Sequence, residues 1–256
     1  MTIRNPKLMQ SKPMYLAIET ATRALGVAVT DGMQTKASFE LLGKYPHAVE
    51  LPDAVNRVLR EASTTLKKCE AILVDIGPGS FTGLRIGLAF AKALSFPLKK
   101  PLVGVSSLDV LAAGLPYVPQ EVCVILDARQ NNVYAARYRL QGDNPVRQTD
   151  YFLGPIDEAL PLIPAESSIL IGDGAGLYRE RIQQERPKAF FSADTFWIPR
   201  AVTLARLGAT RHAGGQKDDP ATLVPMYLYP MDCSVRGPDR PTAVLPKTVH
   251  SVPVRS

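Results

Sequence analysis

The residues able to do chemistry are few and scattered along the chain. Glu19 ends a short apolar strand-like run that begins near Met14. A carboxylate there can hold a cation through water, or bind backbone N–H groups of its own turn, and Thr20 and Thr22 favour the polar turn. Asp127 ends a second such run, VCVILD, and carries the same two readings. Gly77-Pro78-Gly79-Ser80 lies between a strand-like stretch, Ala71–Ile76, and an apolar helix beginning near Thr82. Strand, glycine turn and helix are the makings of a phosphate site at a helix N-terminus. No Gly-Lys-Ser/Thr follows the turn, however, and Gly77, Gly79 and Gly83 are spaced wrongly for GxGxxG. Gly172-Asp173-Gly174-Ala175-Gly176 resembles an adenosine-side loop, or else is a helix-entry turn capped by Asp173. His47 opens a helix with Glu50 three residues on, and His212 and His250 are too distant to join it there as metal ligands. No Ser/His/Asp or Cys/His arrangement is visible. Three histidines leave little room for imidazole catalysis, while carboxylate chemistry stays open.

The helix after the glycine turn must be placed with care. Gly83, Gly87 and Ala91 recur every four residues and so lie along one face. Glycine inside a helix costs roughly 1 kcal/mol against alanine, so two on one face imply close approach by another element. Leu84, Ile86, Leu88, Phe90 and Leu94 surround the stripe, and Arg85 and Lys92 share the one charged edge. Such a helix either packs on its own sheet or also meets another subunit; spacing alone leaves both open.

Composition sets wide bounds. At 256 residues, 46% hydrophobic and 21% charged, the chain has ample core for one large domain or two small ones. No apolar run reaches membrane-spanning length; the best, Leu84 to Leu98, contains Arg85 and Lys92. The N-terminus has basic residues but no apolar core, unlike a signal peptide. Cys69, Cys123 and Cys233 are odd in number and widely spaced, and read as reduced core thiols of a cytoplasmic protein. The net charge of +6 belongs to the ends: residues 1–13 and 234–256 each contribute +3, and the body between them balances 23 basic against 23 acidic residues. Basic tails could touch RNA, but the body carries no nucleic-acid footprint by count.

Taken in order, MYLAIET, ALGVAVTD and Gln34–Leu42 form an antiparallel meander with a turn at Asp31-Gly32. A helix spans His47 to Ala62, with Pro52 in its first turn and Leu51, Val55, Val58 and Ala62 on one face. The strand and glycine helix follow, ended by Pro97 and Pro101; then comes LVGV, and a helix capped by Ser106 with Asp109 in a box-like pattern. From Val122 the hairpin repeats as VCVILDA, RQNN, VYAARYRL, which points to an internally duplicated α/β fold. Shorter elements follow: a helix over 155–160, a strand over 168–171, a loop opening a helix from Gly172, and an amphipathic helix over 200–212. LVPMYLYP is the last ordered piece. Expected domains are a flexible extension (1–13), an N-terminal lobe (14–104), a C-terminal lobe (105–233) whose helix 200–212 packs back on the first lobe, and a disordered basic tail (234–256).

GPGSFTGLRIGLAFAKAL at Gly77–Leu94 resembles the signature of the TsaB family, also called YeaZ. LAIETAT at Leu16–Thr22, PLVGVSSLDVLAAG at Pro101–Gly114 and ILDARQNNVYAARY at Ile125–Tyr138 extend the resemblance, in order, over about residues 14–233. It implies the two-lobed actin-like, sugar-kinase and Hsp70 architecture with duplicated βββαβα-type lobes, in which two lobes normally clasp ATP. It also implies a non-catalytic cytoplasmic subunit with no catalytic residue or metal of its own. Such a subunit pairs with TsaD, and with the TsaE ATPase, in forming N6-threonylcarbamoyladenosine at position 37 of tRNA. Docking on TsaD is then expected through the glycine helix (Phe81, Thr82, Gly83, Leu84, Arg85, Gly87, Leu88, Phe90, Ala91, Leu94) and the preceding helix (His47, Leu51). Alone, the same face is expected to form a homodimer, and tRNA is reached only through the complex. A leucine at Gly87 should then abolish docking and leave the fold intact. TsaD-like relatives carry a second histidine four residues after the first; Leu51 stands there. Catalytic members of the superfamily place an aspartate near phosphate and Mg²⁺ where Glu19 stands, so Glu19, Thr20, Gly77, Gly79, Ser80 and Asp127 are nucleotide-side candidates. ATP or ADP at the complex boundary is the one cofactor left open. The alternative is a stand-alone ATP- or metal-dependent enzyme of this fold, a phosphotransferase or an M22-like peptidase, which rests on fold analogy alone.

Overall fold

The computed structural model describes residues 12–32, 34–43 and 47–228. The expected tail over 234–256, Cys233, His250 and most of the 1–13 extension lie outside the described residues. The chain first builds β1 (Met14–Glu19), β2 (Ala24–Asp31), β3 (Gln34–Leu42), α1 (His47–Glu61), β4 (Cys69–Gly77), α2 (Phe81–Leu98) and β5 (Leu102–Ser106). These strands form one sheet in the order β3-β2-β1-β4-β5, antiparallel through the meander and parallel from β1 to β5. β1 is central and covered on both faces, and alternation sorts its residues. Leu16 and Ile18 join Val27, Ile72 and Val74 under Leu51, Val55 and Leu88 of α1 and α2. Tyr15 and Ala17 face the other way.

The second half follows with α3 (Ser107–Ala113), β6 (Glu121–Arg129), β7 (Asn132–Gln141), β8 (Asn144–Arg147), β9 (Phe152–Pro155), α4 (Ile156–Ala159), β10 (Ser168–Ile171), α5 (Asp173–Leu177), α6 (Arg179–Glu185), β11 (Ala189–Phe191) and α7 (Ala201–Ala213). Its sheet runs β11-β10-β6-β7-β8, with β9 added beside β7. β6 pairs antiparallel with β7 and parallel with β10, as β1 pairs with β2 and β4; β10 pairs parallel with β11, as β4 does with β5. This duplication makes a two-lobed α/β architecture. α7 covers the other face of the first sheet, with Ala201, Leu204 and Ala205 against Tyr15, Ala17, Ala28 and Leu73.

The lobes are joined at α3. Its Leu108, Leu111 and Ala112 belong to the second-lobe core, and its Val110 and Ala113 to the α7 layer of the first. Ser106 Oγ caps α3 by accepting Leu108 N–H, but Asp109 does not complete a box. It accepts Tyr138 Oη–H at 2.8 Å, Tyr151 Oη–H at 3.0 Å and Arg211 Nη2–H at 2.6 Å. A carboxylate that ties the second sheet to α7 is better satisfied there than on its own helix.

Three local expectations change. Pro97 lies inside α2, which runs on to Leu98 and stops at a left-handed Lys99 (φ 51°). Near a helix C-terminus one missing N–H is tolerated, so the proline is not the terminator. Pro52 is the sixth residue of α1, not in its first turn. The stretch after Gly172 is helix from Asp173 onward, not a loop. No helix among the described residues is long and apolar enough to cross a membrane.

Candidate functional site

Two carboxyls meet at the ends of adjacent parallel strands. Glu19 closes β1 and Asp75 stands near the end of β4; both are 0% exposed. Glu19 Oε1 accepts Ala21 N–H at 2.7 Å, and Asp75 Oδ1 accepts Gly77 N–H and Ser107 Oγ–H, each at 2.6 Å. Glu19 Oε2 and Asp75 Oδ2 receive no donor from elsewhere. One proton shared between the two carboxyls satisfies both. Burial pushes Glu19 well above the ordinary carboxylate range, and the neighbouring Asp75 pushes it further. Burial raises Asp75 too, while bonds from Glu19, Ser107 and Gly77 pull it back. Of the two readings of Glu19, the structure realises the polar turn.

The other first-lobe candidates gather around this pair. Thr20 Oγ1 donates to Gly83 O at 2.9 Å, Ser80 N–H to Ala21 O at 2.6 Å, and Gly83 N–H to Ser80 Oγ at 3.2 Å. A side chain at Gly79 would strike Ala21 O, one at Gly83 would strike Thr20 O, and one at Gly87 would strike Thr20 Oγ1. The glycine stripe therefore seats α2 on the β1–β2 turn of its own chain. A leucine at Gly87 should therefore destabilise the fold instead of sparing it, because Thr20 already fills that space. The turn donors at Gly77, Ser80 and Gly83, where a phosphate would be cradled, are spent within the chain.

Asp127 does not join this cluster. Its Oδ1 accepts Arg129 N–H at 2.8 Å, repeating the Glu19 turn, and its Oδ2 lies 2.9 Å from Arg129 Nη1. Asp127 N–H donates to Asp173 Oδ1 at 3.0 Å, so Asp173 ties α5 to β6 instead of capping its own helix. His47 Nε2 lies 2.9 Å from Thr22 O, linking the start of α1 to the β1–β2 turn. Leu51 is a core residue. Among the described residues no three His, Cys, Asp or Glu side chains group as metal ligands.

The expected docking residues divide by face. Gly83, Leu84, Gly87, Leu88 and Ala91 are buried within the chain, and Phe90 and Leu94 pack half-buried on the first-lobe core. The outward line of α2 is Phe81, Arg85, Ala89, Ala93 and Phe96, with Thr82 beside it. Phe81 is 53% and Phe96 57% exposed, large values for aromatic rings, and Val49 of α1 and Leu42 of β3 are also exposed.

Sequence reasoning missed three contributors: Asp75, Ser107 and a C-terminal strap over residues 218–228. Asp218 N–H donates to Leu102 O and its Oδ2 accepts Gly104 N–H; Leu223 packs on the first-lobe core. Met226 N–H donates to Ile76 O at 2.7 Å, and Leu228 reaches the second-lobe core. Between them Tyr227 Oη accepts Arg85 Nε–H at 3.0 Å. A charge inside the apolar run AILVDI was the available signal for Asp75; nothing local announced Tyr227.

Comparison with known proteins places this geometry. The family model for TsaD, tRNA N6-adenosine threonylcarbamoyltransferase, matches residues 43–167. The tRNA threonylcarbamoyladenosine biosynthesis protein TsaB of Bacillus subtilis is 30% identical over 222 residues, 83% of this chain and 93% of that protein. Its Escherichia coli namesake is 36% identical over 126 residues, 48% of this chain and 54% of that one. The solved structure of YeaZ from Pseudomonas aeruginosa superposes with a TM-score of 0.74 at 31% identity, covering 84% of this chain and 100% of that one. An uncharacterized protein from the same organism, described as similar to peptidase YeaZ, gives 0.76 at 29% identity over 85% and 100%.

Proposed function

Since the chain belongs to the TsaB family, we propose that it is the non-catalytic subunit that binds and activates TsaD, with TsaE, for threonylcarbamoyl transfer to adenine 37 of tRNA. Its part in tRNA threonylcarbamoyladenosine biosynthesis follows from the family. The finer role rests on one observation above all: α2 is seated on its own sheet by its glycines and still presents an outward face with exposed aromatics at both ends and alanines between them. A second helix can lie along such a face, its side chains between Phe81 and Phe96. The proposed docking set is therefore Phe81, Thr82, Arg85 and Phe96, with His47 and Val49 of α1 at its margin. The strand-end carboxyls, turned inward on their own turns, support a subunit that lends surface instead of chemistry. Without TsaD, the same face is proposed to pair two copies of this chain, and tRNA is met through the complex.

Size-exclusion chromatography with light scattering, on the chain alone and mixed with TsaD of the same organism, tests this. A homodimer that converts to a heterodimer is expected, and restored tRNA modification on mixing completes the result. A monomer indifferent to TsaD overturns the proposal. The second reading is that the chain is itself a transferase, favoured by the matching family model. Transfer by this chain without TsaD would establish it; ATP or metal-dependent turnover would instead reopen the phosphotransferase and peptidase alternatives.

A further inference from the structure

We infer that Arg85 is a pre-set carboxylate receptor on the docking face, built jointly by α2 and the C-terminal strap, and that the docking protein supplies an aspartate or glutamate to it. The inference rests on the docking reading above and deepens it by naming the chemistry that α2 recognises.

The guanidinium is already held in place. Its carbon lies 3.9 Å from the centre of the Phe81 ring, its Nε donates to Tyr227 Oη at 3.0 Å, and the two rings are 5.3 Å apart. Tyr227 is in turn fixed, because the adjoining Met226 is bonded to Ile76 and the next residue, Leu228, is anchored in the second-lobe core. An exposed arginine ordinarily loses much of the benefit of an ion pair to side-chain ordering. Stacking and the phenol bond have done that ordering here before any partner arrives. What remains is the outer edge of the fork: among the described residues neither Nη atom of Arg85 meets an acceptor. Two parallel N–H groups on a planar cation match a carboxylate in two-point fashion. The apolar surroundings at Phe81 would be dried by a docked protein face, which strengthens the pair. An RNA phosphate fits the setting less well, because the body of the chain has no excess of positive charge to gather it.

The strap's part is positioning. Tyr227 touches no partner in this account; it fixes the plane and direction of Arg85 from 142 residues away in sequence.

Titration calorimetry of the full chain with TsaD tests the receptor. Arg85→Ala should weaken binding about tenfold or more, and Arg85→Glu further. Arg85→Lys should resemble Arg85→Ala, because an ammonium gives a point charge and no fork. Tyr227→Phe, which keeps the ring and frees Nε, should weaken binding a few-fold, with a steeper salt dependence. Replacing acidic surface residues of TsaD by lysine one at a time should yield one variant that restores binding to Arg85→Glu. These side chains lie at the surface, so unchanged melting curves are expected, and Arg85→Lys serves if Arg85→Glu unfolds. The receptor is overturned if Arg85→Ala and Arg85→Glu bind like the unaltered chain, or if Arg85→Lys does. It is also overturned if Arg85→Glu loosens tRNA from the complex while TsaD affinity holds. Failure of the unaltered chain to bind TsaD would instead sink the docking reading beneath it.

Discussion

The two lobes use one device with opposite outcomes. In each, a central strand carries at or near its end a carboxylate that accepts the N–H two residues on, Glu19 from Ala21 and Asp127 from Arg129. In each, the neighbouring parallel strand leads through glycines into a helix pressed onto that turn. Gly79, Gly83 and Gly87 abut Ala21 and Thr20 in the first lobe; Gly172 and Gly174 abut Ile125, Leu126 and Asp127 in the second. The outcomes then part. α2 runs for 18 residues and leaves Phe81 and Phe96 outside, whereas α5 is five residues long and a side chain at its Gly176 would strike Trp197 of the same chain. The second lobe keeps its glycine helix short, with Trp197 against one side and only Leu177 exposed among its apolar residues; the first extends its helix into a face with an aromatic at each end. Duplication thus supplied two equivalent elements, and only one was lengthened into an extended outward face.

The largest effects should come from breaking the shared device. Gly83→Val and Gly174→Val both drive a side chain into the backbone of the facing turn, and each should cost about 3 kcal/mol or more by urea unfolding. Phe81→Ser and Phe96→Ser, on the outward face, should change stability by about 0.5 kcal/mol or less and yet remove TsaD binding. Equal stability losses on the inner and outer faces of α2 would erase the distinction between a seated helix and a docking helix. Next in size is the joint between the lobes. Asp109→Asn takes the charge from a carboxylate held by Arg211, Tyr138 and Tyr151, and should cost about 2 kcal/mol. Burial keeps both phenols protonated as donors, pushing Tyr151 up to about 12 and Tyr138 well above its usual value. A loss confined to one lobe, seen by hydrogen exchange, would mean that α3 does not couple them.

The carboxyl turn of the first lobe can be probed by pH. Glu19 is held protonated by burial and by Asp75, and Glu40 adds to the effect. A proton bound more tightly in the folded state supplies stability that is complete below the ordinary glutamate range and is lost as pH rises through the elevated value. The contribution of Glu19 to stability should therefore fall as pH rises from the acid side, and Glu19→Gln, which keeps a donor toward Asp75 with no proton to lose, should remove that contribution from the stability–pH curve. Parallel stability–pH curves for the unaltered chain and Glu19→Gln would remove the shared proton.

Much of this was legible in the sequence because it is local or periodic. Alternation placed β1, β2 and β3 with their turn, the repeated hairpin announced the second lobe, and four-residue spacing announced that something approaches α2 closely. Spacing could not say what approaches. Thr20 meets Gly87 only because β1 and β4 are neighbours in a sheet whose order is set by pairing across fifty residues. Asp75 was hidden for the opposite reason: a protonated pair lets a charged residue type sit in a strand as apolar as its neighbours. The strap has no periodicity to detect, since apart from one turn closed on Asp219 its bonds run outward to β4, β5 and α2.

The smallest contrast lies in the two thiols among the described residues, one in each lobe. Cys69 starts β4 and Cys123 lies within β6; both are free and buried. Burial pushes Cys69 up to about 11, with Lys100 pulling the other way, and pushes Cys123 up to about 12, where Arg137 is opposed by Glu121. Only the thiolate alkylates, so both should be slow with iodoacetamide at pH 8 and fast in urea. Within the native chain Cys69 should react first, by about tenfold in thiolate fraction, which peptide mapping of a timed reaction can read. Cys123 labelled before Cys69 would mean that the second lobe opens more readily than the first. The uncovered helix would then belong to the stiffer half of the molecule, as a preformed docking face requires.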